Sequence, residues 1–192
     1  MKKESDKNVF VRFWSFLKED SWPSFFVSLL IALVVIKFII FPLLTLLTGT
    51  VLPLVIVESC SMYHSQDLEA IMKNGIYSDY GLGYEDTANW SLRNGFTKGD
   101  IIVVLGPKNV EVGDVIIFNG GQSNPIIHRV IGINSDGEYT TKGDNNLGLL
   151  VFEKDIEKDR VLGKAVFRVP AIGWIKLIFF DWKKPLGQRG LC

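Results

Sequence analysis

At 192 residues the chain has room for one ordinary domain plus an anchor, and hardly for two full domains. Its 21 basic and 21 acidic residues cancel, which excludes a global field selecting nucleic acid or an anionic surface. Two histidines (His64, His128) and two cysteines (Cys60, Cys192) give no metal-ligand spacing and no disulfide framework, so no metal is implied; one bridge could close almost the whole extracytoplasmic part, but free thiols are the expectation.

In chain order, residues 1–24 carry Lys2, Lys3, Lys7, Arg12 and Lys18 and read as a cytoplasmic N-terminal segment. From Phe25 to Val57 the chain is apolar, with Lys37 as its single charge. As one helix this run would extend about 50 Å, against a hydrocarbon core of about 30 Å, so it must divide. Residues 25–47 suffice for a transmembrane anchor. Thr48, Gly49 and Thr50 break the pattern, and 51–57 is β-branched enough to read as a strand. After Lys37 there is no Lys or Arg until Lys73, so the positive-inside rule keeps the N-terminus in the cytoplasm and puts residues 48–192 outside. The apolar core is too long and begins too late for a cleaved signal peptide. Lys37 reads as a snorkelling lysine tolerated by so apolar a helix.

Beyond Gly95 the pattern is short strands between Gly, Asn and Asp turns: 101–105, 115–118, 126–133, 138–142 and 161–169. The fold class expected is mainly β, an N-terminal transmembrane helix followed by a compact β-barrel or coiled sheet. Residues 65–98, rich in Tyr, Gly, Asn and Asp, form an insertion-like excursion with a short helix at 68–73. Residues 171–182 are apolar but too short to cross a bilayer; membrane-surface association and core burial are equally open.

Chemistry concentrates where the first strand ends, at Glu58-Ser59-Cys60-Ser61-Met62-Tyr63-His64. A serine needs a base to become a nucleophile, and the two histidines are the candidates. His64 lies three residues beyond Ser61; His128 lies inside an apolar strand. A four-residue loop at 134–137 would set Ile133 opposite Glu138 and His128 opposite Gly143. A tighter loop moves that partner to Asp144 or Asn145, so Asp144 stays within one step of His128 and can orient its imidazole. Cys60 is a rival nucleophile; adjacent strand residues face opposite ways, so only one of Cys60 and Ser61 can face the base, and spacing does not say which.

Four ordered boxes behind an anchor resemble the type I signal peptidases, particularly their archaeal and endoplasmic-reticulum branch. They are Ser59-Cys60-Ser61-Met62, Gly113-Asp114-Val115-Ile116-Ile117-Phe118, Ile127-His128-Arg129-Val130 and Thr141-Lys142-Gly143-Asp144-Asn145-Asn146. Gly163-Lys164-Ala165-Val166 and Pro170-Ala171-Ile172-Gly173 resemble the family's closing segment. The resemblance implies Ser61 as nucleophile and His128 as base, with Ser59 and the Ser61 N–H as oxyanion donors and no cofactor. Two positions depart from the family: His64 stands where proline is usual, and Leu150 stands where the related enzymes carry an aspartate. The third catalytic role therefore falls to Asp144, with Asp155 as the second candidate. The implied function is a membrane-bound serine endopeptidase removing signal peptides from exported preproteins. Its partners would be signal peptides, membrane lipid and protein-export machinery, in a prokaryotic cell membrane or, as the alternative, an endoplasmic-reticulum membrane. A related membrane protease with another substrate class, and a non-catalytic anchored β-domain binding exported chains by strand addition, share the same features.

Overall fold

The computed structural model describes the backbone of residues 2–73 and 75–192 and the side chains of residues 9–73 and 75–192. The chain forms two compact units, Met1–Leu47 and Thr48–Cys192.

The first unit is helical: α1 (Lys2–Leu17), α2 (Trp22–Val35), a five-residue π-helical segment (Ile36–Ile40) and the start of α3 (Phe41–Thr48). Ser21 caps α2, its Oγ accepting from the Ser24 N–H at 3.4 Å, and Pro23 fills a first-turn position where no N–H is needed. The π segment answers to Pro42, which has no N–H and crowds the carbonyl four residues back. The ladder widens there, with the Phe41 N–H donating to the Ile36 carbonyl. From Trp22 to Thr48 the helix is 27 residues, long and apolar enough to cross a membrane. It begins three residues earlier than the expected 25–47 span and stops where Gly49 turns left-handed at φ 69°.

The second unit is built on a six-stranded sheet in the order β1-β2-β6-β3-β4-β5, every neighbouring pair antiparallel. The strands are β1 (Leu54–Ile56), β2 (Ile101–Leu105), β3 (Val115–Phe118), β4 (Ile126–Ile133), β5 (Tyr139–Lys142) and β6 (Val161–Val169). Five of the six fall where β-branched runs between turn residues place them. β1 is shorter than the expected 51–57. Pro53 has no N–H to give the ladder, and beyond Ile56 the Val57 N–H still reaches the Asp100 carbonyl but the return bond comes from Gly99, because the Asp100 N–H turns to the Thr97 carbonyl. β3 lies in the interior of the sheet and buries all four side chains.

The excursion at 65–98 contains α4 (Leu68–Met72), α5 (Ile76–Asp79) and a 3-10 turn (Tyr84–Asn89). It packs Leu68, Met72, Tyr77 and Trp90 against Ile131 of β4. At the other end of the chain α6 (Trp174–Phe180) buries Leu177 but leaves Ile175, Ile178 and Phe179 about 70% exposed, so this segment is not a core helix.

The expectation of free thiols is corrected: Cys60 and Cys192 are joined by a disulfide, their Cα atoms 5.5 Å apart. Sequence spacing held no sign of it, because the pairing depends on how the tail folds back. Buried Lys98 binds Asp181 and the Gln188 carbonyl, both at 2.6 Å, and Lys184 reaches the Glu58 carboxylate at 3.1 Å. Closing so long a loop stabilises the fold by about 5 kcal/mol in the chain-entropy picture.

Candidate active site

Strands β1 and β5 are the two ends of the sheet, and the segments that leave them meet. The Asn145 N–H, just beyond β5, donates to the Ser61 carbonyl at 2.8 Å, and Asn145 Nδ2 donates to the Cys60 carbonyl at 3.0 Å. On its other side the segment is held by the Phe96 N–H, which donates to the Met62 carbonyl at 3.0 Å. Ser61 therefore sits half-buried on a tethered turn at a seam between the edge strands. Its Oγ is 3.2 Å from Ser59 Oγ. Cys60 is spent in the disulfide and has no thiol with which to rival Ser61.

The hairpin β4–β5 brings His128 up to the segment 143–146 that follows β5. Its loop is one residue longer than expected, setting Ile133 opposite Tyr139, and an irregularity between Val130 and Gly132 restores the register. Arg129 pairs with Lys142, so the next step inward sets His128 against Gly143. A Cβ on Gly143 would lie 2.8 Å from His128 Nε2, which shows how closely the ring edge approaches that backbone. The four residues 143–146 thus border His128 on one side and Ser61 on the other.

Pleat parity separates the acids. Asp144 follows Gly143, so it shares a side with Arg129 and Lys142 and not with His128. Its carboxylate is fully buried and fully used. Arg129 Nη2 donates to Oδ2 at 2.8 Å and Nε to Oδ1 at 3.0 Å; Tyr77 Oη donates to Oδ1 at 3.1 Å; His64 Nε2 lies 2.8 Å from Oδ2. Burial alone would push this carboxyl up, but Arg129 and His64 outweigh it and hold it well below the ordinary aspartate range. Burial pushes the Tyr77 hydroxyl up, and the Asp144 charge adds to it. Lys142 is pushed down by burial against the opposing pull of Asp144 and Glu153, while its ammonium donates to the carbonyls of Gly143, Asp144 and Asn146.

The His128 ring meets a residue that the sequence reading passed over. Nδ1 lies 2.5 Å from Glu153 Oε1, a close polar contact in which the ring N–H is not aligned as a hydrogen bond. Glu153 ends the 3-10 turn Val151–Glu153 and is fully buried; its Oε1 accepts from the Gly143 N–H at 3.1 Å and its Oε2 from the Leu150 N–H at 2.5 Å. Asp155 is exposed at a left-handed turn with φ 51°. So the hydrogen bonds of Asp144 run to Arg129, Tyr77 and His64, and the acid against His128 is Glu153. The sign in the sequence was a glutamate three residues past Leu150, able to reach back over one short turn.

The chain is 31% identical over 93 residues to the signal peptidase complex catalytic subunit SEC11 of Plasmodium falciparum (isolate 3D7). The match takes in 43% of this chain and 50% of that protein, so the chain spans about half the length of the curated relative. No protein-family model matches the chain. An apolar helix long enough for a membrane precedes a six-stranded antiparallel sheet, and over those 93 residues the chain is similar to that signal peptidase subunit.

Proposed function

We propose that this chain is a membrane-anchored serine endopeptidase that removes signal peptides from exported preproteins. The observation that carries the reading is the shared border of Ser61 and His128 on the turn 143–146, through the Asn145–Ser61 hydrogen bond and the approach of His128 to Gly143. His128 Nε2 takes the Ser61 proton as Oγ attacks the scissile carbonyl, and returns it to the leaving amine. The Ser61 N–H and the Ser59 hydroxyl serve as oxyanion donors, each worth about 3 kcal/mol to the tetrahedral intermediate.

Substrates of this class carry small residues one and three positions before the cut. The helix Trp22–Thr48 spans the membrane with the N-terminus cytoplasmic and the sheet unit outside, so enzyme and preprotein share a two-dimensional phase that raises their effective concentration. The exposed face of α6, followed by Trp182 and Lys183, suits the lipid headgroup layer. Protein-export machinery is the further partner.

Cleavage of a model preprotein by the detergent-purified protein tests the proposal. Ser61→Ala should lower the rate by about 10⁴-fold or more with the fold intact. A Ser61→Ala protein that cuts at the parental rate removes the protease reading and leaves an anchored β-domain that binds exported chains.

A further inference from the structure

Glu153 is a fully buried acid that caps its own 3-10 turn with one oxygen, at the Leu150 N–H, and turns the other out of that turn. Its oxygens take two backbone N–H groups, those of Gly143 and Leu150, and the third contact is His128 Nδ1. An ionised carboxylate in such a place is costly unless several groups compensate it. No arginine is in ion-pair contact with it among the described residues, in contrast to Asp144 with Arg129. The nearby Lys142 ammonium spends its donors on the carbonyls of the turn. What Glu153 gains by its position is the pairing of two things that the chemistry needs together: the far nitrogen of the imidazole and the Gly143 N–H of the turn that borders Ser61.

We propose that Glu153 is the positioning acid of the site. It holds the Nδ1–H tautomer of His128, so that Nε2 is left as the proton acceptor, and it fixes the ring and the 143–146 turn with one carboxylate. Asp144 then acts one step further away, locking Arg129, Tyr77 and His64 behind the turn. The assignment rests on the reading of Ser61 and His128 as nucleophile and base, but the contact itself can be read without turnover.

With only two histidines in the chain, ¹⁵N-histidine labelling in detergent resolves both rings. An Nδ1 proton held by a carboxylate gives a low-field resonance. It is expected in the parental protein, in Ser61→Ala, in His64→Ala and in Asp144→Asn, and it should vanish in Glu153→Gln. Loss in Asp144→Asn with survival in Glu153→Gln overturns the proposal. Should Glu153→Gln not fold, the parental spectrum decides by the through-space contact between that proton and the Glu153 γ-methylene, whose absence also overturns it. In preprotein cleavage, Glu153→Gln should lower kcat by about 10³- to 10⁴-fold with KM changed less than about threefold, and Glu153→Asp should recover part of the loss. Loss shared equally between kcat and KM, with no recovery in Glu153→Asp, marks a structural role and overturns it. If the parental protein does not cleave but the low-field signal depends on Glu153, the functional reading fails and the positioning contact stands.

Discussion

Around Asp144, four groups meet in the space of one side chain: the Arg129 fork, the Tyr77 hydroxyl, the His64 ring and the carboxylate itself. Removing one charge of such a set leaves the other buried and unpaired, which typically costs 3–5 kcal/mol. Asp144→Asn is therefore expected to lower unfolding stability at pH 7 by about that amount, measured by urea titration in detergent. The pH dependence has a definite sign. The folded-state pKa is depressed, so this contribution is complete above the unfolded value of about 3.9 and fades as pH falls through the lower folded value. Parental and Asp144→Asn stabilities should converge as acid protonates Asp144; a gap that stays constant into strong acid contradicts the ion-pair account.

At the scale of elements, the turn 143–146 is where edge strands β1 and β5 come together, and Gly143 is its tightest point. A methyl there would lie 2.6 Å from Asn146 Nδ2 and 2.8 Å from His128 Nε2. Both are ends of side chains, so the fold can yield, but the ring held by Glu153 must turn away. Gly143→Ala should lower preprotein cleavage by about tenfold or more, the scale at which a small misplacement of catalytic groups is felt, with a smaller effect on the unfolding midpoint. An unchanged rate would mean that His128 does not work at this edge.

These elements also show what the sequence disclosed. Runs such as Ile101–Leu105 and Val161–Val169 carry their strand identity in β-branched residues between turn signals, and local chemistry is enough to find them. The hairpin register was legible to within one residue because a loop fixes it. The irregularity near Ile131 was not legible, and without it strand parity could not be carried to Asp144. Glu153 was hidden for another reason: it reaches His128 from a 3-10 turn outside the ladder, where no pairing rule applies.

For the whole molecule, the tail that follows α6 comes back to the segment carrying Ser61, through Lys98, Glu58 and the Cys60–Cys192 bridge. A half-buried Ser61 is thus held from three directions: Asn145 beyond β5, Phe96 in the excursion and Cys192 at the end of the chain. Such bracing suits the proposed nucleophile, whose proposed base lies 67 positions away in sequence. Two histidines border this region, one bound to Asp144 and one against Glu153, and the proposed proton transfer falls to the second. The most direct measurement compares preprotein cleavage by His128→Ala and His64→Ala proteins of equal folded content. The rate should fall by about 10⁴-fold or more in His128→Ala and remain within about tenfold of the parent in His64→Ala. Cleavage that survives in His128→Ala and disappears in His64→Ala would contradict the account.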